Sequence, residues 1–319
     1  MVRERLKQAH LHPLKRRTLL KACRNTLPGL VLGSALLQSA CSARSSLNIS
    51  PLRDSLFMIS GAGSNVLVKK APSGELLVVD GGLENNSEVL LDGIAEATDS
   101  RNITHLMNTH WHREQTGLNR VLGEAGVSIF AHENTRLWLG VAIERPWEDF
   151  RFEPLPVSAR PSESFYFYGD FDHFGSPVWY GNLVQAHTDG DMYVYFPEEN
   201  VLHAGGVISN EAYPLIDWWT GGWIGGLVDG LESLIGLINS DTVIVPGNGP
   251  LMSYQDLLLM RDMYNTIFRR VRDLFMGANS EQETVDAAPT QEFDSRWGDP
   301  EAFVRLAHQS LIAHLTPDA

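Results

Sequence analysis

His110 and His112 stand one residue apart, with Glu114 two positions further on, inside Asn108-Thr109-His110-Trp111-His112-Arg113-Glu114-Gln115-Thr116-Gly117. Two imidazoles this close can share one metal ion but cannot complete its coordination, so a third ligand has to come from elsewhere. The best-placed one is His187, in Ala186-His187-Thr188-Asp189-Gly190-Asp191. Three neutral imidazoles with one open position make a catalytic type of zinc site, where bound water loses a proton near neutral pH. The only cysteines, Cys23 and Cys41, fall in the first 45 residues. The remaining chain therefore has no disulfide and no thiolate ligand, and a metal must be held by nitrogen and oxygen.

Strands and helices have to bring these residues together. Ile103–Met107 reads as a buried strand feeding the two-histidine loop, and Leu118–Ala125 as a short helix leaving it. Upstream, Leu56–Ile59, Asn65–Lys69 and Glu75–Val79 are β-branched or apolar runs separated by glycine turns, and Asn85–Thr98 has a helical apolar face. Downstream, the sequence predicts strands at Val127–Ala131, Phe165–Tyr168, Val178–Gln185, Met192–Phe196, Val201–Ala204 and Thr242–Val245. It predicts helices at Glu133–Val141, Gly225–Asn239, Tyr254–Phe275 and Pro300–His314. Residues 143–162 are rich in proline and charge without periodicity and read as a surface loop. The pattern is α/β: two similar halves, each opening on antiparallel strands and closing on strand–helix units, packed as two sheets between outer helices.

Charge is unevenly spread. Residues 1–45 hold nine Lys/Arg against one Glu, a net +8, so the overall −14 leaves −22 on residues 46–319. A body this acidic is not built for nucleic acid or anionic lipid. The basic part reads as an export leader, residues 1–45, ahead of one domain, residues 46–319. Lys15-Arg16-Arg17-Thr18-Leu19-Leu20-Lys21 resembles a twin-arginine signal, and the apolar run Leu27–Leu37 is shorter than the ~20 residues of a membrane span. Ser39-Ala40-Cys41 resembles a lipoprotein box that would anchor the chain at Cys41; Gln38 fits that box poorly. The expected location is the periplasm or the cell envelope.

Asp80-Gly81-Gly82, His110-Trp111-His112-Arg113-Glu114-Gln115, His187-Thr188-Asp189-Gly190, Ala204-Gly205-Gly206 and Pro246-Gly247-Asn248-Gly249-Pro250 occur in that order. Together they resemble the five motifs of the metallo-β-lactamase superfamily, over roughly residues 52–260. The resemblance implies an αββα sandwich with its metal site at one edge between the sheets, metal ligands His110, His112 and His187, and Asp80 bracing the metal loop. It also exposes departures. Glu114 stands where that family has Asp, Gln115 where the second metal takes a His, Gly206 where an Asp bridges, and Asn248 where the last His binds. Neutral amide oxygens are poor zinc donors, so one zinc per chain is expected, not two.

Two readings stay open. In one, the protein is a hydrolase of an ester, lactone, amide or similar bond in a small molecule, with Glu114 acting as base, orienter or fourth ligand. In the other, it is a degenerate binding protein of the envelope. Asn248 is a candidate for substrate hydrogen bonding. Asp217-Trp218-Trp219-Thr220-Gly221-Gly222-Trp223 is read either as an apolar substrate wall (Asp217, Trp218, Trp219 and Trp223) or as rings packed on the long C-terminal helix, Tyr254–Phe275. Asp191 is either a brace for His187 or solvated. His203 reads as a hydrogen-bonded core residue, and His105 and His132 as structural.

Overall fold

Apolar runs without alternation mark strands covered on both faces, and the first half of the chain is built from them. In the computed structural model, which describes residues 47–315 except Glu211, β1 (Asn48–Arg53), β2 (Leu56–Ser60), β3 (Val66–Lys70) and β4 (Leu76–Val79) form an antiparallel meander. After α1 (Ser87–Thr98), the strand β5 (Ile103–Asn108) pairs parallel to β4. α2 (Asn119–Glu124), β6 (Ser128–His132) and α3 (Glu133–Trp138) follow, with β6 parallel to β5.

The segment expected to be a loop is more ordered than its composition suggests. It holds a two-stranded hairpin, β7 (Ile143–Glu144) with β8 (Arg151–Phe152), and a 3-10 turn at Val157–Ala159. Two-residue strands are too short to show alternation, and side-chain contacts described below hold this hairpin. β9 (Glu163–Phe165) then completes the first sheet in the order β1-β2-β3-β4-β5-β6-β9.

The second sheet runs β10 (Tyr168–Phe171), β11 (Val178–Asn182), β12 (Met192–Phe196), β13 (Val201–His203) and, after α4 (Ile224–Leu237), β14 (Val243–Val245). β11 stops at Asn182, short of the expected Gln185, because Leu183 N–H turns to donate to Asp191 O at 2.9 Å and closes a loop. The C-terminal helices are α5 (Tyr254–Met276), α6 (Glu281–Asp286), α7 (Asp294–Trp297) and α8 (Glu301–Leu315). Neither α6 nor α7 is predicted from sequence.

Side-chain direction sorts these elements into layers. Leu67, Leu77, Val79 and Met107 meet Val178, Val194, Phe196 and Val245 between the sheets. Val66, Val68, Leu76 and Val78 face the other way, onto Leu90 and Ile94 of α1. Leu202 and Ile244 pack on Leu227 and Leu231 of α4 and on Leu257, Met260 and Tyr264 of α5. The result is the expected αββα sandwich. The loops after β4, β5 and β13 emerge at one end of the strands, and that end carries the histidines. The leader pattern and Cys41 lie outside the described residues; among those described, no helix is long and apolar enough to cross a membrane.

Candidate metal centre

His110 and His112 are placed by a loop that the fold clamps from several sides. Asn108 at the end of β5 donates to Gln115 O (3.1 Å) and exchanges amide hydrogen bonds with Asn119 at 2.8 and 2.9 Å. Gly117 lies so close to the turn after β4 that an added Cβ would fall 2.3 Å from Gly82 O, and no side chain fits there. Trp111, between the two histidines, is buried and donates through Nε1 to Thr220 Oγ1 at 3.0 Å. His187 is fixed by Asp191, which is buried and not solvated. Its carboxylate accepts from His187 N–H (2.6 Å), Thr188 N–H (2.7 Å) and Thr188 Oγ1 (2.9 Å).

The three rings form one cluster, with candidate ligand atoms within 4.8 Å of one another. Their centroids lie 4.7 to 4.8 Å apart, edge to face. His187 Nδ1 donates to Leu215 O at 2.6 Å, which turns Nε2 into the cluster. His110 Nδ1 faces Thr109 Oγ1 at 3.1 Å, leaving its Nε2 as donor atom. His112 is reversed: Nε2 donates to Asp217 Oδ2 at 2.8 Å, while Nδ1 stands 3.1 Å from His187 Nε2. Each ring thus has one nitrogen engaged and one free for a metal, the arrangement in which an outer partner fixes tautomer and orientation.

Burial keeps the rings neutral, as metal ligands must be. Desolvation pulls His187 down to about 4, and it holds His110 and His112 well below the ordinary imidazole value, helped by repulsion from neighbouring imidazoles and from the Arg145 guanidinium. A buried cluster of neutral imidazole nitrogens, with every outward nitrogen already satisfied, fits a borderline ion such as zinc.

Asp80 does not reach the cluster. It is fully buried behind the loop at φ 65°, accepting from Thr109 N–H (2.8 Å), Thr109 Oγ1 (2.9 Å) and His203 Nε2 (3.0 Å). Its role is therefore to brace His110 through Thr109. His203 is the core residue expected, with Nδ1 donating to Val245 O at 2.9 Å. His132 caps α3, accepting from Asn134 N–H at 3.2 Å, and His105 packs edge-on against Phe171 and Phe174.

Glu114 and Gln115 line the cleft beside the histidines, as do Gly206 and Asn248. Glu114 is half-buried and stands outside the three-histidine cluster. Where the family's bridging Asp would start, a Cβ on Gly206 would meet His187 Nε2 and Cδ2 at 2.5 Å. His187 therefore occupies the space that such a bridge needs. In the amide orientation that satisfies its hydrogen bonds, Asn248 donates to Gly63 O (3.1 Å) and Gly247 O (3.3 Å), tying two loops at the cleft edge.

In the structure, two rings of the aromatic stretch, Trp218 and Trp223, pack on C-terminal helices. Trp218, Trp219, Trp223 and Asp217 are absent from the residues that line the cleft. Trp218 donates to Gln309 Oε1 of α8 at 2.8 Å, Trp223 stacks on His314 of α8 at 3.7 Å and meets Phe268 of α5, and Trp219 is 46% exposed. Asp217, wholly buried, is a partner of His112. Sequence reasoning missed that role because nothing in the sequence pairs residue 217 with residue 112. It also missed Arg145, which donates to the same Asp217 oxygen at 3.1 Å, since an arginine in a segment rich in proline and charge gives no periodic signal.

Comparison with known proteins agrees with this architecture. Solved metallo-β-lactamases superpose on the chain: DIM-1 with a TM-score of 0.56 at 16% identity, covering 69% of this chain and 97% of that one. The metallo-β-lactamase from Pontibacter korlensis gives 0.56 at 16%, covering 69% and 99%, and a further solved structure, that of TMB-1, gives 0.53 at 18%, covering 69% and 97%. At such identities the likeness is one of fold. A search of curated proteins gave no match. The model of the metallo-beta-lactamase superfamily, however, matches residues 60–262, a stretch that includes every loop of the histidine cluster, and the chain belongs to that superfamily.

Proposed function

We propose that this protein is an exported hydrolase that holds one zinc ion through His110 Nε2, His112 Nδ1 and His187 Nε2 and cleaves an ester, lactone, amide or similar bond in a small molecule. The observation that carries the proposal is that all three rings are individually braced, by Thr109, Asp217 and Leu215 O. Buried polar groups are costly when unpaired, so a site that had lost its ligand would not be expected to keep three separate supports. The filled space at Gly206 and the amide at Gln115 support one metal rather than two.

Zinc in this position supplies Lewis acidity and lowers the pKa of water toward neutrality. The chain's own residues do the rest. Glu114, at the cleft beside the histidines, takes the proton of the attacking water on a carboxylate oxygen and returns it to the leaving group. Asp80 and Thr109 hold His110 still, Asp191 holds the His187 loop, and Asn248 keeps the cleft edge closed while offering its carbonyl oxygen to substrate. Export rests on the twin-arginine pattern at Lys15–Lys21, and a lipid anchor on Cys41.

A panel of ester, lactone and β-lactam substrates tests this reading. Turnover by the zinc-loaded wild type that falls by about 10²- to 10⁴-fold in Glu114→Ala, with zinc still bound, supports it. No turnover anywhere in the panel by a zinc-loaded protein favours the binding protein.

A further inference from the structure

We infer that Arg145, on the β7–β8 hairpin, is a positioning residue of the metal centre that acts on His112 through Asp217. The inference rests on the one-zinc reading above. Arg145 is 5% exposed, an unusual burial for a guanidinium unless it is paired. Its Nη1 donates to Asp217 Oδ2 at 3.1 Å, and its Nε and Nη2 grip both oxygens of Glu148 at 3.2 and 2.6 Å. The guanidinium carbon lies 4.8 Å from the Phe152 ring centre, 5.3 Å from Trp111 and 5.6 Å from Trp147. Three rings and two carboxylates leave the planar group one orientation, and a lysine ammonium could not satisfy the same set.

That orientation is passed to the ligand through a closed circuit. Asp217 Oδ2, held by Arg145, accepts from His112 Nε2 at 2.8 Å. Asp217 Oδ1 accepts from Thr220 N–H at 3.2 Å, and Thr220 Oγ1 accepts from Trp111 Nε1 at 3.0 Å. Trp111 in turn lies beneath the Arg145 guanidinium and sits between the two histidines of the loop. Arg145 Nη1 also stands 3.0 Å from His112 Nε2. With Nδ1 given to the metal, Nε2 is the protonated nitrogen, so these two donors do not bond each other and converge on Asp217 Oδ2. The circuit therefore selects the tautomer and direction in which His112 Nδ1 faces the cluster. An arginine that merely pinned the hairpin to the body would have no need of the oxygen that His112 uses.

The test is a double-mutant cycle on zinc affinity, measured on the full chain by chelator competition with zinc alone. R145M and D217N are each expected to weaken zinc about 10- to 100-fold. The double variant should lose no more than D217N does, because the arginine acts only through the aspartate. If R145M leaves the affinity unchanged, or if its loss multiplies in full on the D217N background, the inference is overturned. Should R145M fail to fold with Asp217 left buried without its guanidinium, E148Q loosens Arg145 from its more exposed side. A loss of affinity from E148Q that vanishes with D217N supports the inference, and the same affinity with and without E148Q overturns it. A wild-type chain that binds no zinc sinks the metal reading as well; one that binds zinc equally well as R145M sinks only the arginine.

Discussion

Gly206→Asp reinstates the acid that bridges two metals in related sites, and here it should do harm. A Cβ at residue 206 would sit 2.5 Å from His187 Nε2 and Cδ2, about an ångström inside ordinary contact. The backbone of Gly206 is not among the positive-φ positions, so the obstacle is the imidazole and not the main chain. Either His187 swings away, giving up its 2.6 Å bond to Leu215 O, or the loop after β13 shifts. Overpacking of this kind costs about 1–3 kcal/mol, and the lost hydrogen bond about 1 more. The expected total is roughly 2–4 kcal/mol in denaturant unfolding of the metal-free protein. Displacing one ligand of three should weaken zinc by at least ~100-fold in chelator competition, on the same outer-support scale taken as a lower bound. Two metals bound per chain in Gly206→Asp, at undiminished stability, would refute the steric reasoning.

Three further outcomes follow from the same geometry. Because burial depresses the pKa of His187 to about 4 in the folded chain, the unfolded chain binds more protons below its ordinary value of 6.5. Metal-free protein should therefore lose stability as pH falls from 6.5 towards 4, by on the order of 3 kcal/mol from this residue; urea midpoints in that window check it, and a His187→Asn variant should flatten the curve. Trp223→Ala should cost about 3 kcal/mol through its lost packing on Phe268 and His314, while leaving KM for any substrate found unchanged; a raised KM with no change in stability would return it to the cleft. Lys69→Met strands the buried Glu199, which Lys69 and Ser176 share at the far end of the strands. It should destabilise by about 3 kcal/mol in denaturant unfolding without altering zinc affinity.

How much of this could be read from the chain depends on the range of the interaction. The layers were legible because residues 66–68 and Leu76–Val79 are apolar on both faces, and only a covered sheet explains that. The three histidines were legible because each sits in a short motif after a strand. Their supports were not. Asp217 meets His112 across 105 positions of sequence, and Arg145 meets Asp217 across 72, from a segment with no periodicity. The aromatic stretch stayed open for a related reason: Trp218 and Trp223 offer the same apolar surface to a substrate or to a helix, and their contacts with α8 depend on the course of a distant element.

The measurement that bears most directly on the account is the metal content of the purified, zinc-loaded chain beside that of His110→Ala. The account predicts one zinc per wild-type chain, and loss of that zinc in the variant. Two metals per wild-type chain, or a single metal that survives His110→Ala, would contradict it.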